Sequence, residues 1–117
     1  MTRKPQVYRD VIDDLVRMCR EGQGQVPVRR AREGIWSHSA SQASMPHEHR
    51  ANAILARLSA PERETIARLL SEAVVMGAFE ALKALEERGV APFESGYEGS
   101  SYHDFIGRLG TDWEWPE

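Results

Sequence analysis

The stretch from Ser59 to Gly89 constrains the fold more than any other part of the chain, because it reads as one long helix with both ends written into it. Ser59 and Glu62 have the spacing of a capping box, in which each side chain satisfies a backbone N–H left free by the first turn. Pro61 falls in that same turn, where its missing N–H costs nothing. Gly89 follows Glu86, Glu87 and Arg88 and supplies the left-handed stop. Between the ends, the run Ala73 to Phe79 is uncharged, and at about 100° per residue it covers every side of the helix. Such a helix is expected to stand at the centre of its fold, with Leu70, Val74 and Phe79 nearly inaccessible and Gly77 marking the close approach of a neighbouring helix.

The flanking segments are also helical in pattern. From about Pro5 to Glu21, one half of the wheel holds Val7, Tyr8, Val11, Ile12, Leu15, Val16, Met18 and Cys19, and the other half is charged. Gly22 to Gln25 ends that helix. Arg29 to Trp36 reads as a short helix interrupted at Gly34, and Ser37 to Ser44 as a loop. Pro46 opens a helix to about Leu58, and Ser101 caps a short one that carries Phe105, Ile106 and Leu109 to Gly110. The expected architecture is therefore all-α: a small helical bundle around a long central helix, about residues 60–88, with an irregular aromatic C-terminal segment. A chain of 117 residues fits a single helical domain over 1–117 and buries a core without disulfide or metal.

Charge narrows the partners. Residues 1–32 carry a net +4 and residues 33–117 a net −7, without a long basic run, which argues against nucleic acid. The basic concentration is Arg29, Arg30 and Arg32 with Arg3 and Lys4, which suits an anion or an acidic surface. No apolar run is long enough to span a membrane, and the lone Cys19 without a leader signal points to the cytoplasm.

The residues with chemical potential are few. His47, Glu48 and His49 look like a chelate, but residues two apart on a helix diverge by about 200°. The polar cluster to weigh is His47 and His49 with His103 and Asp104, and Asp104 is accounted for by capping and the helix dipole. No metal, cofactor or catalytic residue is assigned from these, and Cys19 reads as a core thiol. The C-terminal quarter gathers six of nine aromatics, among them Tyr102, Phe105, Trp113 and Trp115, which form the candidate interface. Residues 111–116 are expected to be ordered, with at least one tryptophan ring packed down.

The phrase Leu58-Ser59-Ala60-Pro61-Glu62-Arg63 resembles the helix opening of many bacterial helical proteins, winged-helix regulators among them. His47-Glu48-His49, with Tyr102-His103-Asp104-Phe105 and Trp113-Glu114-Trp115-Pro116, is similar to short bacterial proteins of unknown function. That resemblance, over about residues 46–117, implies a compact helical fold and no activity. The leading functional expectation is a cytoplasmic protein-binding or regulatory module that self-associates through its aromatic surface. The alternatives are a small metal-assisted enzyme using His47 or His49 with His103, and an immunity-type protein that blocks a toxin through an acidic surface.

Overall fold

The computed structural model describes residues 4–111 and 113–116. Among them lie five α-helices and no strand: α1 (Gln6–Arg20), α2 (Val26–Glu33), α3 (Pro46–Arg57), α4 (Ala60–Glu87) and α5 (Ser101–Gly110), with a 3-10 turn over Gln23–Gln25. None of the helices is long and apolar enough to cross a membrane. The fold is all-α, with one long helix and an irregular aromatic C-terminal segment.

Both ends of α4 follow from local chemistry. The Ser59 N–H donates to Glu62 Oε1 at 2.8 Å and the Glu62 N–H to Ser59 Oγ at 3.2 Å, which completes the capping box. Gly89 takes a φ of +67°, and the N–H of Val90 reaches back to the Leu85 carbonyl at 3.0 Å, closing the last turn.

The chain separates into two compact units. The first combines residues up to Gly22 with those from Val74 onward. Its core holds Tyr8, Ile12, Val16 and Cys19 of α1, Ala78 and Leu82 of α4, Phe105 of α5, and Phe93 and Tyr97 from the connection before α5. The apolar half of α1 thus faces inward as its pattern requires, except for Val7, which is 54% exposed. Cys19 is buried, and burial raises its thiol pKa.

The second unit, Gln23–Ala73, has a thinner core of Val28, Ala31 and Ala67, with Ile66 and Leu70 packed alongside. Here α2 begins at Val26, three residues before the expected start, because Pro27 sits in the first turn, where it is tolerated. It ends at Gly34, whose φ of +82° makes it a left-handed cap rather than an interruption. Arg63 knits this unit: Nη1 donates to the Leu58 carbonyl at 2.7 Å and Nε to the Arg32 carbonyl at 3.3 Å.

Two expectations about α4 fail. Leu70, Val74 and Phe79 are half-buried rather than inaccessible, while Leu69 and Met76 are 54% and 55% exposed. The closest packing on α4 is made by Ala67, Ala78 and Leu82, so an uncharged run on every side does not mean burial on every side. Gly77 has no packing reason among the described residues, since a Cβ built there meets nothing within 4 Å.

Candidate functional site

The aromatic end of the first unit is organised around one buried carboxylate. Asp104 lies in the first turn of α5 and is wholly buried. A buried charge is tolerated only when it is well hydrogen-bonded, and three donors converge on this one. The Tyr8 hydroxyl donates to Oδ2 at 2.5 Å, the Tyr97 N–H to Oδ2 at 2.8 Å, and the Glu98 N–H to Oδ1 at 2.8 Å. Burial first, and then the hydrogen bond and charge of Asp104, hold the Tyr8 hydroxyl far above the usual phenol range. Asp104 therefore does more than complement a helix dipole: it ties α1, the 93–98 connection and α5 together. The connection can pass this close because residue 96 is glycine, where a Cβ would lie 2.5 Å from Asp104 Oδ2.

The cap of α5 is Ser100, one residue before the expected Ser101. Ser100 is extended, and its Oγ accepts from the His103 N–H at 3.2 Å. Ser101 enters the helix and is buried, its N–H donating to Glu86 Oε1 at 3.1 Å. The His103 ring turns outward and places Nδ1 2.6 Å from Ser100 Oγ. A serine and a histidine at this distance resemble a nucleophile and its base. Yet Ser100 is buried and its hydroxyl serves the helix end, while the adjacent Asp104 points into the core and does not orient the ring. The pair acts as a cap.

The two tail tryptophans have different roles. Trp115 is pinned: its Nε1–H donates to both oxygens of Asp13, at 3.0 and 3.1 Å, and its ring lies 6.0 Å from Tyr8 and 5.7 Å from Tyr97. Arg108 stacks over it at 4.8 Å while donating to Asp13 Oδ1 at 2.8 Å. Arg9 stacks over both Tyr97 and Trp115 and donates to the Pro116 carbonyl. Arg20 satisfies the C-terminal carbonyls of α5, donating to Arg108 and Leu109. The expected order of 111–116 thus holds for Thr111 and for 113–116, and Asp112 lies outside the described residues.

Trp113 stands at the rim. An open groove of about 520 Å³ runs along α5, lined by Glu98, His103, Ile106, Gly107, Thr111 and Trp113. Ile106 is 39% exposed in it. Thr111 braces one wall: its hydroxyl donates to the Gly107 carbonyl at 2.7 Å and accepts from the Trp113 N–H at 3.1 Å. Of the four aromatics picked out by composition, Phe105 is wholly buried and Tyr102 is half-buried, edge-on to Phe79 at 4.9 Å. Trp113 is the member that lines the open groove.

The remaining polar residues lie elsewhere. His47 and His49 are both exposed in the first turn of α3, in the second unit, whereas His103 and Asp104 belong to the first. No group of three or more His, Cys, Asp or Glu side chains among the described residues is arranged to hold a metal ion. Arg32 pairs with Glu64 through two bonds of 2.6 and 3.0 Å, raising the pKa of the arginine and lowering that of the glutamate. Sequence reasoning missed Asp13, Arg9, Arg20 and Arg108, which read as solvated helix charges. Apart from the Trp113 carbonyl that Arg108 also reaches, the partners named above are 88 to 107 residues away, so no local signal identifies them.

The chain belongs to a family of unknown function (DUF6547), whose model matches residues 1–117. No curated protein and no solved structure matches it.

Proposed function

We propose that this chain is a protein-binding module that self-associates, seating an apolar side chain of a second copy in the groove beside Trp113. The observation that carries the reading is the division of labour in the tail. Both tryptophans pack against the core, but Trp113 also lines a groove with the 39% exposed Ile106 next to Glu98. An aromatic wall with a polar rim is the chemistry that protein interfaces favour.

Charge selects the occupant. Glu98 is the one carboxylate in the groove's lining, which also holds His103 and no lysine or arginine, so a cationic neighbour suits it. Ile54 on α3 is 48% exposed, and the exposed Arg50 and Arg57 lie four residues before and three after it, on the same helical face. This apolar anchor flanked by two cations is complementary to the groove. Met76, with Glu72 and Glu80 four residues to either side, has the opposite rim charge. The groove thus suits the α3 face of another copy.

Sedimentation velocity over a concentration series tests this. The wild type should show a reversible dimer that weakens with salt, and Ile54→Glu or Ile106→Glu alone should be monomeric with unchanged circular dichroism. Mixing the two variants should restore association, because one retains the groove and the other the anchor. A wild type that is monomeric at all concentrations refutes self-association. A dimer unaffected by either substitution places the interface elsewhere.

A further inference from the structure

The second unit contains a cavity that the groove reading does not use. It measures about 380 Å³ and lies between α2 and the turn that follows it, with Arg29, Arg30, Trp36, Ser37, His38 and Ser39 on its walls. We infer that this cavity is a binding site for a small phosphate monoester, with Arg29 and Arg30 holding the phosphate and Trp36 with Ile35 and Val26 contacting the organic part.

The arginines are available for such a role. Arg32, the third of the cluster, is committed to Glu64 in a bidentate pair. Neither Arg29 nor Arg30 has a carboxylate within ion-pair distance among the described residues. Arg30 Cζ lies over the Trp36 ring at 5.7 Å, a cation–π contact that holds the guanidinium beside the indole. Glu33 also lines the cavity and offsets one positive charge. Two guanidinium groups, the His38 ring and the hydroxyls of Ser37 and Ser39 still give an excess of donors suited to a tetrahedral dianion.

The turn is also built rather than loose. Gly34 reverses the chain with a φ of +82°, and the Ile35 N–H closes the helix end on the Arg30 carbonyl at 3.2 Å. Asn52 of α3 then clamps the next two residues. Its Oδ1 accepts from the N–H groups of Trp36 and Ser37 at 2.6 and 3.1 Å, and its Nδ2 donates to the Ser37 carbonyl at 2.7 Å. Asn52 is thus a positioning residue: it sets the Trp36–Ser37 backbone against α2 before any ligand arrives. The volume exceeds what a bare anion fills and falls in the range of small-molecule sites, and Val26 and Ile35 add apolar lining. These features select an organic ester over the free ion.

Titrations followed by amide and indole NMR shifts test the proposal, with phenyl phosphate, inorganic phosphate, and acetate at matched ionic strength as probes. Phenyl phosphate should saturate, shift residues 29–39 and the Trp36 indole, and bind more tightly than inorganic phosphate, while acetate should not saturate. Arg29→Ala and Arg30→Ala should each weaken phenyl phosphate by about tenfold or more. Arg32→Ala removes the same charge from an exposed pair of small energetic weight and should leave affinity within about twofold. Asn52→Ala should weaken binding while the far-ultraviolet circular dichroism is retained. Equal affinity for inorganic and phenyl phosphate overturns the ester assignment. Equal losses in the Arg29, Arg30 and Arg32 variants reveal nonspecific attraction and overturn the site itself.

Discussion

Tyr8→Phe isolates the contact on which the first unit turns. The phenylalanine keeps the ring against Phe93, Tyr97 and Trp115 and removes only the hydroxyl that donates to Asp104 at 2.5 Å. Asp104 then keeps two backbone donors and loses the third, at a site with no access to water. A hydrogen bond to a buried charge contributes about 1.5–3 kcal/mol, so Tyr8→Phe should destabilise by that amount near neutral pH. In a chain of 117 residues this corresponds to a fall in Tm of roughly 4–12 °C. The wild type also carries a pH signature that the variant lacks. Its hydroxyl ionises in the unfolded chain near pH 10 and in the folded protein only far above that. Below pH 10 both states hold the proton and the contribution is complete. Above it, the unfolded state releases the proton while the folded state retains it, so stability falls by about 1.4 kcal/mol per pH unit from this group alone. Urea denaturation followed by near-ultraviolet circular dichroism, at neutral pH and at about pH 11, measures both effects. The gap between wild type and variant should narrow at the higher pH. A loss under about 0.5 kcal/mol at neutral pH, or a gap that stays constant with pH, would refute the reasoning.

Three further outcomes follow from packing and caps. Gly96→Ala should cost about 2–4 kcal/mol, because its Cβ would meet the Ser100 backbone and Asp104 Oδ2; chemical denaturation reads the loss, and a neutral substitution would mean that the connection shifts freely. Phe105→Ala should cost about 3–5 kcal/mol, and Phe79→Ala clearly less, since Phe105 is wholly buried and Phe79 half-buried; the reverse order in parallel melts would restore the view of α4 as a surrounded post. Ser59→Ala should cost about 1 kcal/mol by opening the capping box at the start of α4, detectable as faster amide exchange over the first turn.

Local chemistry in the sequence determined the helices and their ends. The capping box at Ser59 and Glu62, the left-handed Gly89, and the apolar half of α1 depend on residues within one or two turns of each other, so spacing alone reveals them. The tertiary structure decided which faces are buried and which charges are used. Residues 73–79 look alike on every side in the sequence, and only the packing partners of Ala78 and Leu82 separate the covered side of α4 from the side that leaves Met76 exposed. Asp104 and His103 are neighbours in the chain, yet one points into the core and the other into the groove. Asp104 needs Tyr8, 96 residues away, and Asp13 needs Trp115, 102 residues away. A charged residue on a helix carries the same local signal whether it meets solvent or a distant donor, because helical periodicity reports a face and not what covers it.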